Sequence, residues 1–142
     1  MEIDTLIIEF IKKHHVLTLA TSVNNQPWCA NCYYAYLENE NAFVFSTDYA
    51  TRHGKEALEN SLVAASIVLE TKIVGKIQGI QLTGVMFVPE GEYKAKAEKR
   101  YLKKYPFARL METNLWVLEP NFYKLTDNRL GFGKKLLWKK EA

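Results

Sequence analysis

Strand-like apolar stretches come in groups along this chain, separated by helical ones, and never alternate with them one for one. The order reads helix, strands, helix, strands, helix, strands. That order speaks against a doubly wound parallel sheet and points to a mainly β fold, a small antiparallel barrel with its helices packed outside. Ile3, Leu6, Ile7, Phe10 and Ile11 recur at three- and four-residue spacing, so the chain opens with a short amphipathic helix. Asp4 starts that helix and His14–His15 end it, and a helix so short needs a sheet to lie on. Residues 16–22, 28–37, 42–47, 62–69, 77–88, 115–119 and 122–126 read as strands. Residues 71–76 read as a weak hairpin edge, and the end of the chain as a turn followed by a last apolar stretch.

Two strands carry more information than the others. In 28–37, Trp28, Ala30, Cys32, Tyr34 and Tyr36 share one face, and Cys29, Asn31, Tyr33 and Ala35 the other. Both faces are fairly apolar, which predicts a wall covered outside by a helix or a partner. The stretch 77–88 is long for one flat strand and contains Gly79 and Gly84, so a bend or bulge is expected at one of them. A helix is predicted from Pro89–Glu90–Gly91 to Pro106.

The stretch FVFSTDYATRHGKEALEN, residues 43–60, passes from a strand through a polar turn into a helix near Thr51, with Ala57 and Leu58 facing inward. Arg52, His53 and Lys55 gather where free backbone N–H groups favour an anion. Thr51 is a candidate N-cap, and Gly54 allows a ligand to approach the backbone. These residues fit a phosphate cradle and fit equally a capped helix with a basic solvent face.

The 142 residues suit a single domain, and 48% hydrophobic with 25% charged residues is ordinary for a globular protein. No apolar run approaches the ~18 residues of a membrane span, and the first residues lack a basic leader, so no membrane association and a cytoplasmic location are expected. The whole net charge of +3 lies in the last nine residues, as Lys134, Lys135, Lys139 and Lys140 against Glu141. No finger spacing or RNA-binding signature accompanies it, so no nucleic-acid partner is expected.

Cys29 and Cys32 have CxxC spacing but fall inside a strand, where they point opposite ways, and read as buried hydrophobes. His14, His15 and His53 follow no ligand spacing, so no metal site is assigned. The GFGKK phrase at 131–135 lacks the frame of a nucleotide-binding loop and reads as a turn that lets Leu136 and Trp138 pack back. No serine sits in a nucleophile elbow and no carboxylate pair is spaced for acid–base work. Catalytic residues are therefore unassigned, and any chemistry would be a cofactor's.

The phrases WCAN (28–31), TRH (51–53), GIQLTG (79–84), YPFARL (105–110) and TDNRLGFGKK (126–135) carry a resemblance that spans nearly the whole chain. The chain is similar to a small bacterial family within the FMN-binding split-barrel superfamily related to pyridoxamine 5′-phosphate oxidase. The resemblance implies a six-stranded antiparallel split β-barrel over residues 1–142, paired as a homodimer with FMN in the cleft between subunits. It places the FMN phosphate at Thr51, Arg52 and His53, and the flavin ring along Trp28, Ala30, Asn31 and Cys32, with Gln81 nearby. The strand arginine of that superfamily is missing here and a histidine replaces its lysine, so Arg52, Arg109 or Lys134 is left to supply charge. The implied function is an FMN-binding flavoprotein, an oxidoreductase acting on an unknown small molecule. The alternatives are a homodimeric binding or structural protein that has lost flavin, and a haem-binding relative using His14, His15 or His53.

Overall fold

A computed structural model describes residues 2–142. Strands β1 (Val16–Val23), β2 (Gln26–Leu37), β3 (Ala42–Ser46), β4 (Leu62–Val68), β5 (Gln78–Phe87), β6 (Leu115–Asp127) and β7 (Lys135–Lys139) form one antiparallel sheet. Their order is β3-β2-β1-β4-β5-β6-β7, and β3 pairs a second time with β6. The mainly β architecture with peripheral helices stands as expected. The six-stranded split barrel does not: the strands are seven and belong to one continuous sheet. The seventh is the last apolar stretch, which the GFGKK turn folds back onto β6 so that the Trp138 ring packs at a tilt against Tyr123, centroids 5.2 Å apart.

The two strands expected at 115–119 and 122–126 are a single strand, β6, running through Pro120. A proline has no N–H to give a ladder and is tolerated at a bulge. The bulge is there: Gly84 pairs with Pro120 and Thr83 with Phe122, so the register shifts at Asn121. Gly84 is required at this point. A Cβ on it would collide with the Glu119 carbonyl and come within 2.8 Å of Leu118 Cδ2. The predicted bend thus falls at the second of the two glycines. The expected hairpin edge at 71–76 is instead a loop ending in a single 3-10 turn, Val74–Lys76.

Helix α1 (Thr5–Lys13) is capped by the Asp4 carboxylate, which accepts from the Leu6 N–H at 2.8 Å. Nine residues make a marginal helix alone. Burying Ile7, Phe10 and Ile11 against the sheet supplies roughly 2 kcal/mol apiece and holds it there. Helix α2 (Arg52–Glu59) packs on β1, and helix α3 (Gly91–Lys104) on β2 and β6.

The sheet has an inner side, filled by the core, and an outer side. Leu17, Leu19, Cys32, Tyr34, Phe43, Phe45, Ile80, Leu82, Trp116 and Tyr123 face inward. Three buried tyrosines keep their hydroxyls bonded: Tyr34 donates to the Ile11 carbonyl at 2.6 Å, and Tyr36 and Tyr123 both donate to Asn41 Oδ1. Asn41 itself sits at φ 51°, a left-handed turn position that asparagine tolerates. On the outer side, α3 covers Ala35, Leu37, Ala42, Val44, Leu115 and Val117, with Ala97 and Tyr101 as its buried contacts and Phe87 packed at the border. Its last turn is pinned by Lys104, whose ammonium donates to the carbonyls of His14 and Tyr34. Burial there, with Arg100 nearby, pushes the Lys104 pKa down to about 8.

Replacing Gly84 by alanine is expected to destabilise the protein by about 2 kcal/mol or more, because backbone rather than a movable side chain occupies the space. Thermal unfolding should show a loss of roughly 5 °C or more; an unchanged midpoint would mean that the bulge does not need a glycine.

Candidate functional site

The outer side of β1, β4, β5 and the end of β6 is left uncovered by α3. Cross-strand register sets what lies there. Thr18 pairs with Asn31 on β2 and Ser66 on β4, Ser66 with Gln81, and Gln81 with Lys124. These five residues therefore form one polar row across five strands. Thr18 Oγ1 donates to Asn31 Oδ1 at 2.8 Å. The neighbouring row is Cys29, Ala20, Ala64, Thr83 and Phe122. Small side chains make the centre of both rows a flat ledge. One cleft over it has a volume of about 420 Å³, with Ala20, Ala64, Ser66, Gln81, Phe122 and Lys124 among its walls. A second, sharing Ala20, Ala64 and Thr83, continues it toward Thr21, Pro27 and Leu62.

The helix-start residues occupy a different place. Thr51 is the N-cap of α2, accepting from the Gly54 N–H at 3.1 Å, and its hydroxyl donates to the Asp48 carbonyl. His53 shares a 2.6 Å hydrogen bond between Nε2 and Thr47 Oγ1. Burial pushes the His53 pKa below its ordinary value, with Glu56 acting weakly in the other direction. Arg52 lies over the Trp28 ring at 4.2 Å and donates from Nε to Glu56 Oε2 at 2.8 Å. Gly54 serves packing, not ligand access: a Cβ would meet the Asp48 carbonyl at 2.9 Å and the Tyr49 carbonyl at 3.1 Å. Of the inward pair expected on this helix, Ala57 is buried but Leu58 is 64% exposed.

The expected site residues therefore separate into groups. Thr51, Arg52, His53 and Trp28 converge at the start of α2. Asn31 and Gln81 share the polar row of the ledge. Ala30 and Cys32 pair with Leu19 and Leu17, whose side chains are in the core, and so point away from the ledge. Lys134 sits in the β6–β7 turn, where its carbonyl accepts from the Asp127 N–H, and joins neither group. Arg109 lies in the 3-10 helix Pro106–Leu110, after α3. Thr18, Ser66, Lys124 and Glu56 were missed by sequence reading. The first three are ordinary strand residues whose grouping exists only through register, and Glu56 reads as one charge on a polar helix.

Cys29 is exposed and Cys32 buried, so only Cys32 fits the buried-hydrophobe reading. Burial raises the Cys32 thiol to about 11. Among the described residues no group of three or more His, Cys, Asp or Glu is placed to hold a metal ion. No helix among them is long and apolar enough to cross a membrane. His14 is stacked on Phe10 with ring centroids 4.0 Å apart and bonded through Nδ1 to the Phe10 carbonyl.

Comparison with known proteins gives three findings. Residues 3–124 match the family model described as pyridoxamine 5′-phosphate oxidase. A UPF0306 protein of Photorhabdus laumondii is 39% identical over 135 residues, which is 95% of this chain and 94% of that protein. Among solved structures, a heme binding protein from Mycobacterium smegmatis superposes with a TM-score of 0.78 at 20% identity, covering 98% of this chain and 59% of that one. An FAD binding protein from the same organism superposes with a TM-score of 0.70 at 15% identity, covering 96% and 98%. Such neighbours are alike in fold and differ in what they bind. The narrower expectation of an FMN-binding oxidoreductase is thereby corrected to a pyridoxamine-oxidase-like fold shared with FAD- and heme-binding proteins.

Two measurements check the site's chemistry. At about pH 8.5, where an ordinary thiol is half ionised, iodoacetamide should leave Cys32 unmodified until denaturant is added; early labelling of the Cys32 peptide would contradict its burial. The folded state resists a proton on His53 that the unfolded chain accepts near pH ~6.5. Stability should therefore be greatest above that pH and decline as pH falls below it. His53→Gln should flatten the thermal midpoint profile between about pH 5 and 7, and an unaltered slope would count against it.

Proposed function

The chain belongs to the pyridoxamine 5′-phosphate oxidase family and to the UPF0306 proteins, and from that premise we propose that it is a homodimeric binding protein for a planar cofactor of the flavin or haem class. The observation that supports this reading is the ledge. Ala20, Ala64 and Ser66 leave room for a ring to lie flat on the sheet, and the cleft above them is within the ordinary range for a small-molecule site. Gln81 offers an amide to a polar ring edge, and Lys124 offers a cation to a carboxylate or an electron-rich carbonyl. Phe122, at the ledge's border, supplies an aromatic edge.

The bound group would supply any electron-transfer chemistry. The chain's residues bind it, orient it and exclude water. A second copy completes the exclusion. Tyr33, Leu62, Val68 and Leu137 stand exposed around the ledge at 62%, 65%, 67% and 59%. A twofold partner laid over them buries this apolar surface, which a lone subunit leaves in water. Neither His14 nor His53 is among the residues bordering the two clefts. A haem on the ledge would therefore be held by its ring and by Lys124 opposite a propionate, with no ligation from those two histidines.

The experiment is a titration of the purified protein with haemin, FMN and FAD, followed by absorbance and by co-elution at the dimer's size in gel filtration. At least one ligand should be retained, and Ser66→Trp should weaken it about tenfold or more by filling the ledge without altering the far-UV circular dichroism. Retention of none, or equal binding by Ser66→Trp, would overturn the proposal.

A further inference from the structure

Helix α1 lies against the inner side of the sheet, and a cavity of about 150 Å³ lies between it and the ends of β5 and β6. Leu6 and Phe10 of α1 and Leu125 of β6 give this cavity an apolar wall. Its polar wall comes from the strand ends. Gln78 pairs with Asp127, two positions beyond the core pair Ile80 and Leu125, so both side chains face inward. The ledge residues Gln81 and Lys124 face the other way. Asp127 is buried, with both carboxylate oxygens engaged by Arg129. Oδ1 accepts from the Nε–H and the backbone N–H at 3.0 Å, and Oδ2 from Nη2 at 2.8 Å. These bonds hold the Asp127 carboxyl below the usual carboxylate range.

Turn closure accounts for part of the phrase at 126–135. Asn128 donates from Nδ2 to the Val74 carbonyl at 2.9 Å and accepts the Gly133 N–H at 3.0 Å. Closure does not account for what surrounds the cavity. Arg129 spends Nε and one Nη2 proton on Asp127, which leaves the end-on fork of Nη1 and Nη2 to a second carboxylate. Gln78 is only 8% exposed and donates from Nε2 to the Lys76 carbonyl at 3.3 Å. Its Oε1 has no hydrogen-bond partner among the described residues. Glu9 and Lys13 stand one helical turn apart at the mouth, and neither has an ion-pair partner among the described residues.

We propose that this cavity is a binding site for a small aliphatic α-amino acid. The carboxylate takes the Arg129 fork, with Lys13 adding a second positive charge. The ammonium lies against Gln78 Oε1 and the Glu9 carboxylate, and the aliphatic side chain against Leu6, Phe10 and Leu125. Gln78 decides between an amino acid and a plain carboxylic acid. An ionised carboxylate only accepts hydrogen bonds and leaves this buried acceptor unpaired, whereas an ammonium supplies the donor. Size decides against the planar cofactors of the ledge. A cavity of this volume takes a molecule near benzene in size, about six to eight non-hydrogen atoms, as in alanine or valine. The formal charges around it, Glu9 and Asp127 against Lys13 and Arg129, cancel, which suits a zwitterion. The site is separate from the ledge and does not depend on what the ledge binds.

The test is calorimetric titration of the full chain with alanine, valine and leucine. At least one should bind with a Kd below about 1 mM. The acid lacking its amino group, and the amide lacking its carboxylate, should each bind at least about tenfold more weakly. Gln78→Met keeps the volume and removes the acceptor; Glu9→Gln removes a charge at an exposed position of α1, where folding is not at risk. Each should weaken the amino acid about tenfold and leave the deaminated acid unaltered. Arg129→Lys keeps a cation beside Asp127 but loses the fork, and should weaken both ligands. Ser66→Trp, which fills the ledge, should alter neither, so failure of the ledge reading and failure of this one are told apart. A Kd above about 1 mM for all three amino acids, equal affinity for the deaminated acid, or undiminished binding by Glu9→Gln would overturn the assignment.

Discussion

The architecture depends on one close approach, the packing of Gly84 against the Glu119 carbonyl at the bulge of β6. On one side β6 pairs with β5 along nearly its whole length. On the other side it pairs first with β3, through Leu115–Leu118, and then with β7, through Phe122–Thr126. The change of partner coincides with the bulge. A bulge bends its strand and increases the local twist, which lets β6 reach β3 with one half and carry β7 on the other. Because β3 is bonded to both β2 and β6, it has no free edge, and the sheet must curve back on itself to allow it.

That curvature defines an inner and an outer side with different fates. The inner side takes the large residues, including Trp116, Tyr34, Tyr123, Phe43 and Phe45, and α1 lies against it. The outer side is covered by α3 only over β3, the end of β2 and the beginning of β6. The uncovered half is where small residues replace large ones, so that the ledge is a consequence of how far one helix extends. Leu62, Val68 and Leu137 are exposed for the same reason. The apolar character of both sides of β2 has two explanations along one strand: Ala35 and Leu37 lie under α3, whereas Tyr33 does not.

The ledge and the start of α2 differ in charge state. The ledge has an unshared lysine and amide among small neutral residues. The start of α2 has polar groups that already have partners: the Arg52 cation with Glu56, and the His53 ring with Thr47. A sequence shows Arg52 and His53 as free basic groups near a helix start, because the partners that engage them are a carboxylate one helical turn away and a threonine just past the end of β3. Their proximity follows from the sharp turn between β3 and α2, where Asp48 and Tyr49 leave room for no residue but Gly54. The basic reading of that motif was sound about residue types and silent about occupancy.

Much of the secondary structure was determined by sequence alone, through local chemistry. Asp4 and Thr51 cap their helices, Pro106 stops α3, and short apolar runs bounded by turns mark β1 to β5. These features need only neighbours a few positions away, and so does the resemblance carried by TRH, YPFARL and TDNRLGFGKK. Tertiary structure alone decided the strand count, the continuity of β6 through Pro120, and which side chains share a surface. Strand register is the reason. It joins Asn31, Thr18, Ser66, Gln81 and Lys124 from five strands into one row, and it turns Ala30 and Cys32 away from that row. A slip of one residue would reverse every one of those assignments, and no local pattern records a register set by contacts between strands far apart in the chain.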